Sequence, residues 1–382
     1  MQRRLLLCML CAAMLLLSGC RSIFEADYVA ESDYVPPRAA AEAEHKADLI
    51  NDLDELRQVL RDMVAQGETQ RRLFFAPNYD GDLSADLAAA CWQVRTQDAL
   101  CAYCVESISY DVGRVVSVNE TTVSVSYSAA ADDVEDIVRL PYGADARSPL
   151  YEAMENGREQ LVLLIERSSY TEEDMAQYAR QVYREHPAIA PQEPSVEVIM
   201  FSGAETQRLY EFTFNYGMTA EEFASRKAEL LAATPFAEPD VSAYSETERA
   251  VMACSYLCRR VTLREKPSRA GIYDALVLGE ADSIGLAYAF TDLCEILGLP
   301  CQVVSGQRNW EEHTWNIVEL DGKCYHVDVA ACIESGPAVG FLLNDEMAWD
   351  RYRWDYFSYP HCEGALRFSD VAAMWDELGA QE

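Results

Sequence analysis

The chain has 382 residues, enough for roughly two folded units, and half of them are apolar and a quarter charged, which excludes a globally disordered chain. Its 31 Lys+Arg stand against 64 Asp+Glu, a net charge of −33. Displacing phosphate counterions needs a surplus of clustered cations, so nucleic acid is excluded as a partner.

Arg3 and Arg4 precede an apolar run from Leu5 to Leu17, about 13 residues against the ~20 that a membrane span requires. A basic start, a short apolar stretch and a small-residue ending read as a secretory signal over residues 1–19. Leu17-Ser18-Gly19-Cys20 resembles the bacterial lipobox. That resemblance implies acylation of Cys20, which becomes the mature N-terminus, and a lipid anchor on the extracytoplasmic face of the cell membrane. Residues 20–43, Ala-rich and acidic with Pro36-Pro37, read as a tether.

Over residues 44–66, Leu49, Leu53, Leu56, Val59, Leu60 and Met63 recur on one helical stripe. Val116, Val118, Val123 and Val125 flank Asn119-Glu120-Thr121, a pattern that predicts a hairpin turning there. Leu161 to Ile165 is a continuous apolar run, as in a buried strand. Thr171 with Asp174 and Thr219 with Glu222 mark helix starts. Pro187, Pro191 and Pro194 close the first helix; the second runs to Ala233. Val196–Phe201 and Leu209–Phe214 read as strands between them. Residues 44–235 are thus expected to form a small α/β layer domain with a leading helix. Pro235, Pro239 and Asp240 mark a boundary, a helix follows from Ser245 to about Arg260, and a second unit is expected over 245–382, giving an α+β fold class.

Of 13 cysteines, Cys8 and Cys11 leave with the signal and Cys20 is the lipidation site. Ten remain, at 91, 101, 104, 254, 258, 294, 301, 324, 332 and 362, an even number that permits disulfides in an exported chain. Cys101 and Cys104 form a lone CxxC with no second pair and no His pair at ligand spacing nearby, so neither a metal nor another cofactor is expected. Cys254 and Cys258 share a helix face, a spacing that also suits core packing. No loop of clustered acids has the spacing of a calcium site.

The informative stretch runs from Gly279 to Val329. Leu286, Phe290, Leu293 and Leu297 lie on one face of a helix that Gly298-Leu299-Pro300 stops. A strand from Cys301 to Ser305 follows. A hairpin then runs from His313-Thr314-Trp315-Asn316 through Asp321-Gly322 to Cys324-Tyr325-His326-Val327-Asp328. Its two strands can set His313 beside Asp328, where a carboxylate orients an imidazole and stabilises its charged form.

This order of motifs resembles the transglutaminase-like domain, a branch of the papain-like cysteine enzymes, over roughly residues 245–382. The resemblance rests on the Leu-Gly-x-Pro break, the Val-Ser-Gly strand end, His-x-Trp-Asn, Leu-Asp-Gly-Lys, Tyr-His-Val-Asp and a tail of Phe341-Leu342-Leu343-Asn344-Asp345, Arg353-Trp354-Asp355 and Tyr359-Pro360. It implies a nucleophilic Cys at the helix start, a His base on the first hairpin strand and an orienting Asp on the next. His313 and Asp328 match; Ser283, preceded by Asp282, stands where the family has its Cys. A thiol pKa starts near ~8.5 and can fall at a helix N-terminus, whereas a hydroxyl cannot be held ionised in that way.

Ser283 therefore reads either as a helix cap together with Asp282 or as the nucleophile of a Ser283-His313-Asp328 set. Likewise, His313 reads as a structural partner of Asp328 or as a catalytic or binding group. Trp315 reads as core or groove wall, Trp315 and Asp282 are the binding candidates, and His326 reads as structural. None of Cys294, Cys301 and Cys324 combines a helix N-terminus with a suitably spaced His, so none is expected to replace the nucleophile. Two functions follow. In one, the lipoprotein carries a disarmed transglutaminase-like domain that binds a peptide, a wall component or a protein. In the other, Ser283, His313 and Asp328 hydrolyse or transfer acyl groups on amides or esters.

Overall fold

A computed structural model describes residues 49–115, 118–128, 134, 136–203, 207–236, 243–264 and 271–378. The signal, Cys20 and the tether lie outside the described residues.

The first sheet takes strands in the order β1 (Leu49–Ile50), β2 (Gln70–Phe75), β4 (Val118–Tyr127), β3 (Val105–Val115). Helices α1 (Leu53–Ala65), α2 (Leu83–Gln97) and α3 (Ala99–Cys104) cover it. The expected 44–66 helix starts later, at Leu53, because the Asp52 carboxylate caps the amides of Asp54 and Glu55 while Leu49–Ile50 pairs with β2 as a strand. Its stripe is as expected: Leu56, Leu60, Met63 and Val64 are buried. The expected hairpin also forms, but Val115 pairs with Val118, so Asn119, Glu120 and Thr121 lie inside β4 rather than in the turn.

The second sheet runs β5 (Val138–Leu140), β6 (Gln160–Ile165), β8 (Arg208–Asn215), β7 (Ser195–Ser202). Helices α4 (Arg147–Glu155), α5 (Glu172–Glu185) and α6 (Ala220–Ala233) belong to it, and complete capping boxes at Thr171/Asp174 and Thr219/Glu222 start the last two. The continuous apolar run of β6 has a simple cause. Leu161, Leu163 and Ile165 join one apolar cluster, while Leu164 joins the cluster of the first sheet, so both faces are buried.

The third part begins with α7 (Glu246–Arg260), started by a capping box of Ser245 and Glu248. A short parallel pair, β9 (Thr262–Leu263) with β10 (Glu280–Ala281), leads into α8 (Ser283–Ile296). A five-stranded antiparallel sheet follows, ordered β14 (Phe341–Leu343), β13 (Lys323–Val327), β12 (Glu311–Leu320), β11 (Cys301–Arg308), β15 (Tyr352–Arg353). Helices α9 (Val329–Ser335), α10 (Pro337–Gly340), α11 (Asp345–Ala348) and α12 (Phe368–Leu378) complete it.

Helix α8 is enclosed rather than buried on one face: every residue from Gly285 to Cys294 is buried, apolar residues lying on all sides with Thr291 and Asp292 among them. One apolar cluster runs from Ala146 to Trp375 and includes both the second sheet and α8. Tyr183 of α5 meets Tyr288 of α8 edge to face at 5.3 Å, and His186 Nδ1 lies 3.0 Å from Glu295 Oε1. The second sheet and the third part therefore share a core across the Pro235–Asp240 stretch. The fold is α+β throughout.

Candidate functional site

Four elements converge here. Helix α8 opens on Asp282, whose Oδ1 accepts from the amides of Ile284 and Gly285, both at 3.0 Å. The cap is thus Asp282 alone, and Ser283 is the first helical residue. Asp282 is buried, its Oδ2 has no partner among the described residues, and burial pushes its pKa up. Ser283 is half-buried.

His313 lies on β12 with its side chain 12% exposed, and its Nε2 is 2.8 Å from Asp328 Oδ2. A carboxylate only accepts, so Nε2 carries the proton and Nδ1 offers a lone pair. Among the described residues no hydrogen bond joins Ser283 to His313. The hairpin turns at Asp321-Gly322, both with positive φ (49° and 73°), as a tight two-residue hairpin requires.

Asp328 is not on the return strand, as the sequence suggested. It follows β13 and caps α9, its Oδ1 accepting from Ala331 N at 2.9 Å. Its Oδ2 accepts from both His313 and the Tyr352 hydroxyl, the latter at 2.7 Å, and Arg308 Nε stands 3.8 Å away. Burial alone would raise its pKa; the bonds from His313, Ala331 and Tyr352 outweigh burial and hold the carboxyl below the usual range. Sequence reasoning missed Tyr352 and Arg308. Both reach Asp328 only because β15 pairs with β11 in a register that opposes Tyr352 to Arg308, and two residues of β15 give no periodic signal.

Trp315 is 1% exposed and donates its indole N–H to His326 Nδ1 at 3.0 Å. That bond leaves the His326 proton on Nε2, which faces Asp345 Oδ1 at 2.9 Å. Burial lowers the His326 pKa. Trp315 is therefore packing and support, with Tyr352 against it at 5.0 Å between ring centroids. Asn316 ties β12 to α8, its amide donating to Ala287 O at 3.0 Å and Thr291 Oγ at 2.9 Å. Close packing continues across the sheet. A Cβ on Gly306, the partner of His313 in β11, would stand 2.2 Å from the Arg353 carbonyl oxygen.

The cysteines fall elsewhere. Cys294 is fully buried inside α8 with its thiol pushed well up, Cys301 opens β11, and Cys324 lies on β13 with its thiol raised by burial. Cys254 and Cys258 share a face of α7 as expected, and Cys332 of α9 joins them. Hydrogen bonding with Cys254 and Cys332 draws the Cys258 thiol down.

Residues 237–329 match the transglutaminase-like superfamily. The matched transglutaminase-like domain contains Ser283, His313 and Asp328 and ends one residue beyond the last of them. Among solved structures, a transglutaminase shares 12% identity over 52% of this chain and 60% of its own, with a TM-score of 0.25. A protein described as a candidate cysteine protease from Cytophaga hutchinsonii shares 12% over 35% of this chain and 62% of its own, TM-score 0.23. One described as a candidate protease from Parabacteroides distasonis shares 8% over 55% and 45%, TM-score 0.20. This chain spans less than two thirds of the length of each. No curated protein matches it.

Proposed function

We propose that the protein is a lipid-anchored, extracytoplasmic lipoprotein whose transglutaminase-like domain has lost thiol catalysis and binds a peptide, a cell-wall component or a protein. One observation carries this reading: the His313–Asp328 pair is intact at 2.8 Å, while the start of α8 offers a hydroxyl with no hydrogen bond to that histidine. A thiol in that position loses its proton readily. A hydroxyl stays neutral, and general-base help contributes only ~10²–10⁴ in rate. The His313–Asp328 pair outlasts the nucleophile. The lipobox Cys20 lies outside the described residues, and among those no helix is long and apolar enough to cross a membrane.

A second reading, a Ser283-His313-Asp328 hydrolase, draws on the same pair, since Asp328 holds Nε2 and leaves Nδ1 as a base. A fluorophosphonate probe on the full chain separates the two. We expect no labelling of the native protein and iodoacetamide-sensitive acyl transfer after Ser283→Cys. Labelling that disappears in Ser283→Ala would establish the hydrolase instead. Incorporation of an alkynyl fatty acid, lost in Cys20→Ala, tests the anchor.

A further inference from the structure

Away from His313, three cysteines from two helices meet. Cys254 and Cys258 sit one turn apart on α7, Cys332 sits on α9, and their sulfur atoms all lie within 4.8 Å of one another. Cys254 and Cys332 are buried, Cys258 is partly exposed, and all three are free thiols. We propose that Cys254, Cys258 and Cys332 form a three-thiolate site for a soft divalent cation of the zinc class, with its fourth position open on the Cys258 side.

Geometry favours a cation over a disulfide. Residues four apart on a helix have Cβ atoms ~5–6 Å apart, whereas a disulfide needs ~3.5–4.5 Å. A Cys254–Cys258 bond would distort α7, and a bond from Cys332 to either would strand the third sulfur. A tetrahedral cation with metal–sulfur bonds of ~2.3 Å instead asks its sulfurs to be ~3.8 Å apart, which three side chains already this close reach by small rotations. Thiolates are also the ligands that select zinc-like ions over the oxygen-preferring calcium and magnesium. Binding releases thiol protons, so affinity rises with pH.

The other candidate cluster argues the contrast. His326, Asp345 and Cys362 also bring ligand atoms within 4.8 Å of one another. There, however, His326 Nδ1 accepts the Trp315 proton and Nε2 carries its own, so no neutral lone pair faces a cation. The thiol site has no such obstacle. It also reaches toward the candidate site: the Cys332 amide donates to Asp328 O at 3.0 Å in the first turn of α9. A bound cation would tie that turn to α7.

The test uses the full chain, reduced, freed of metal by a chelator and kept anaerobic. Cobalt(II) titration should give a thiolate-to-metal absorption band in the near ultraviolet that saturates at one cobalt per chain. Zinc should bleach the band, protect the partly exposed Cys258 from Ellman's reagent and raise Tm. Cys332→Ser and Cys258→Ser should each weaken cobalt binding at least tenfold, while Cys91→Ser leaves it unchanged. Because Cys332 is buried, the partly exposed Cys258→Ser is the decisive variant, with circular dichroism to confirm its fold. The proposal fails if a folded native chain gives no charge-transfer band, if a folded Cys258→Ser binds as tightly as the parent, or if mass spectrometry of the unreduced protein finds Cys332 in a disulfide.

Discussion

Arg308 and Tyr352 stand opposite one another across β11 and β15: the Tyr352 hydroxyl bonds to Asp328 Oδ2, and Arg308 Nε lies 3.8 Å from that oxygen while its Nη2 pairs with Glu334. Directly opposed residues of an antiparallel pair project to the same face, so this register aims a guanidinium and a phenol at one carboxylate. The His313 ring on that oxygen and the Ala331 amide on the other complete its shell. Asp328 can therefore stay ionised in a buried position and hold the imidazole whether or not any chemistry follows.

Tyr352→Phe removes one donor from this shell and keeps the ring packed on Trp315. The expected cost is about 1.5–3 kcal/mol, the range for a hydrogen bond to a charged group, read by urea unfolding at pH 7. The folded pKa of Asp328 lies below its unfolded value, so its stabilising contribution exists above the unfolded pKa and is lost as pH falls through the folded one. Losing Tyr352 raises the folded pKa, and acid unfolding should begin at higher pH. An unmoved acid midpoint would show that the phenol does not support the carboxylate.

Asp292 behaves in the opposite sense. It is buried within α8, its Oδ2 has no partner among the described residues, and burial, with Glu295 adding to it, pushes the carboxyl up to about 7. A folded pKa above the unfolded value means that the fold loses stability as pH rises from about 4 to about 7. Asp292→Asn should remove that loss. Above pH 7 the variant should be more stable than the parent by up to about 4 kcal/mol, with the difference shrinking toward pH 4. Urea unfolding at pH 4.5 and pH 8 checks this, and a variant less stable than the parent at pH 8 would refute it.

What the sequence disclosed divides along the range of the interactions. Helix starts were legible because caps are local: Thr171 with Asp174 and Thr219 with Glu222 span one turn each. His313 and Asp328 were legible because a tight Asp-Gly turn brings two nearby strands together. Tyr352 and Arg308 were hidden, since their role depends on a two-residue edge strand whose pairing no local pattern specifies. Cys332 was hidden for the same reason: only the packing of α9 on α7 brings its sulfur to Cys254 and Cys258. The enclosed state of α8 was hidden because Gly285, Ala287 and Ala289 are buried too, yet small residues of this kind also occupy exposed helix faces and leave no periodic signal.

The division of labour between Asp282 and Ser283 is testable on stability alone. Asp282 caps two amides of α8, so Asp282→Ala should cost about 0.5–2 kcal/mol. Ser283 contributes no cap, so Ser283→Ala should change stability by less than about 0.5 kcal/mol. Equal losses in thermal unfolding would mean that the serine hydroxyl helps hold the helix start.

Asn316 links the strand that carries His313 to the helix that carries Ser283. Its amide donates twice into α8, to a backbone carbonyl and to the Thr291 hydroxyl, which itself donates to Ala287 O. Asn316→Ala leaves both acceptors with one donor fewer in a dry interface and should cost about 2 kcal/mol. Asn316→Asp is the sharper variant, because it keeps the shape and replaces two donors with an acceptor facing oxygen atoms. At pH 8 the aspartate variant should be less stable than the alanine one, by urea unfolding. The order should narrow at pH 4, where protonation restores one donor. If the aspartate variant matches the parent at pH 8, the strand is held against the helix by apolar packing alone, and the spacing between Ser283 and His313 does not depend on this amide.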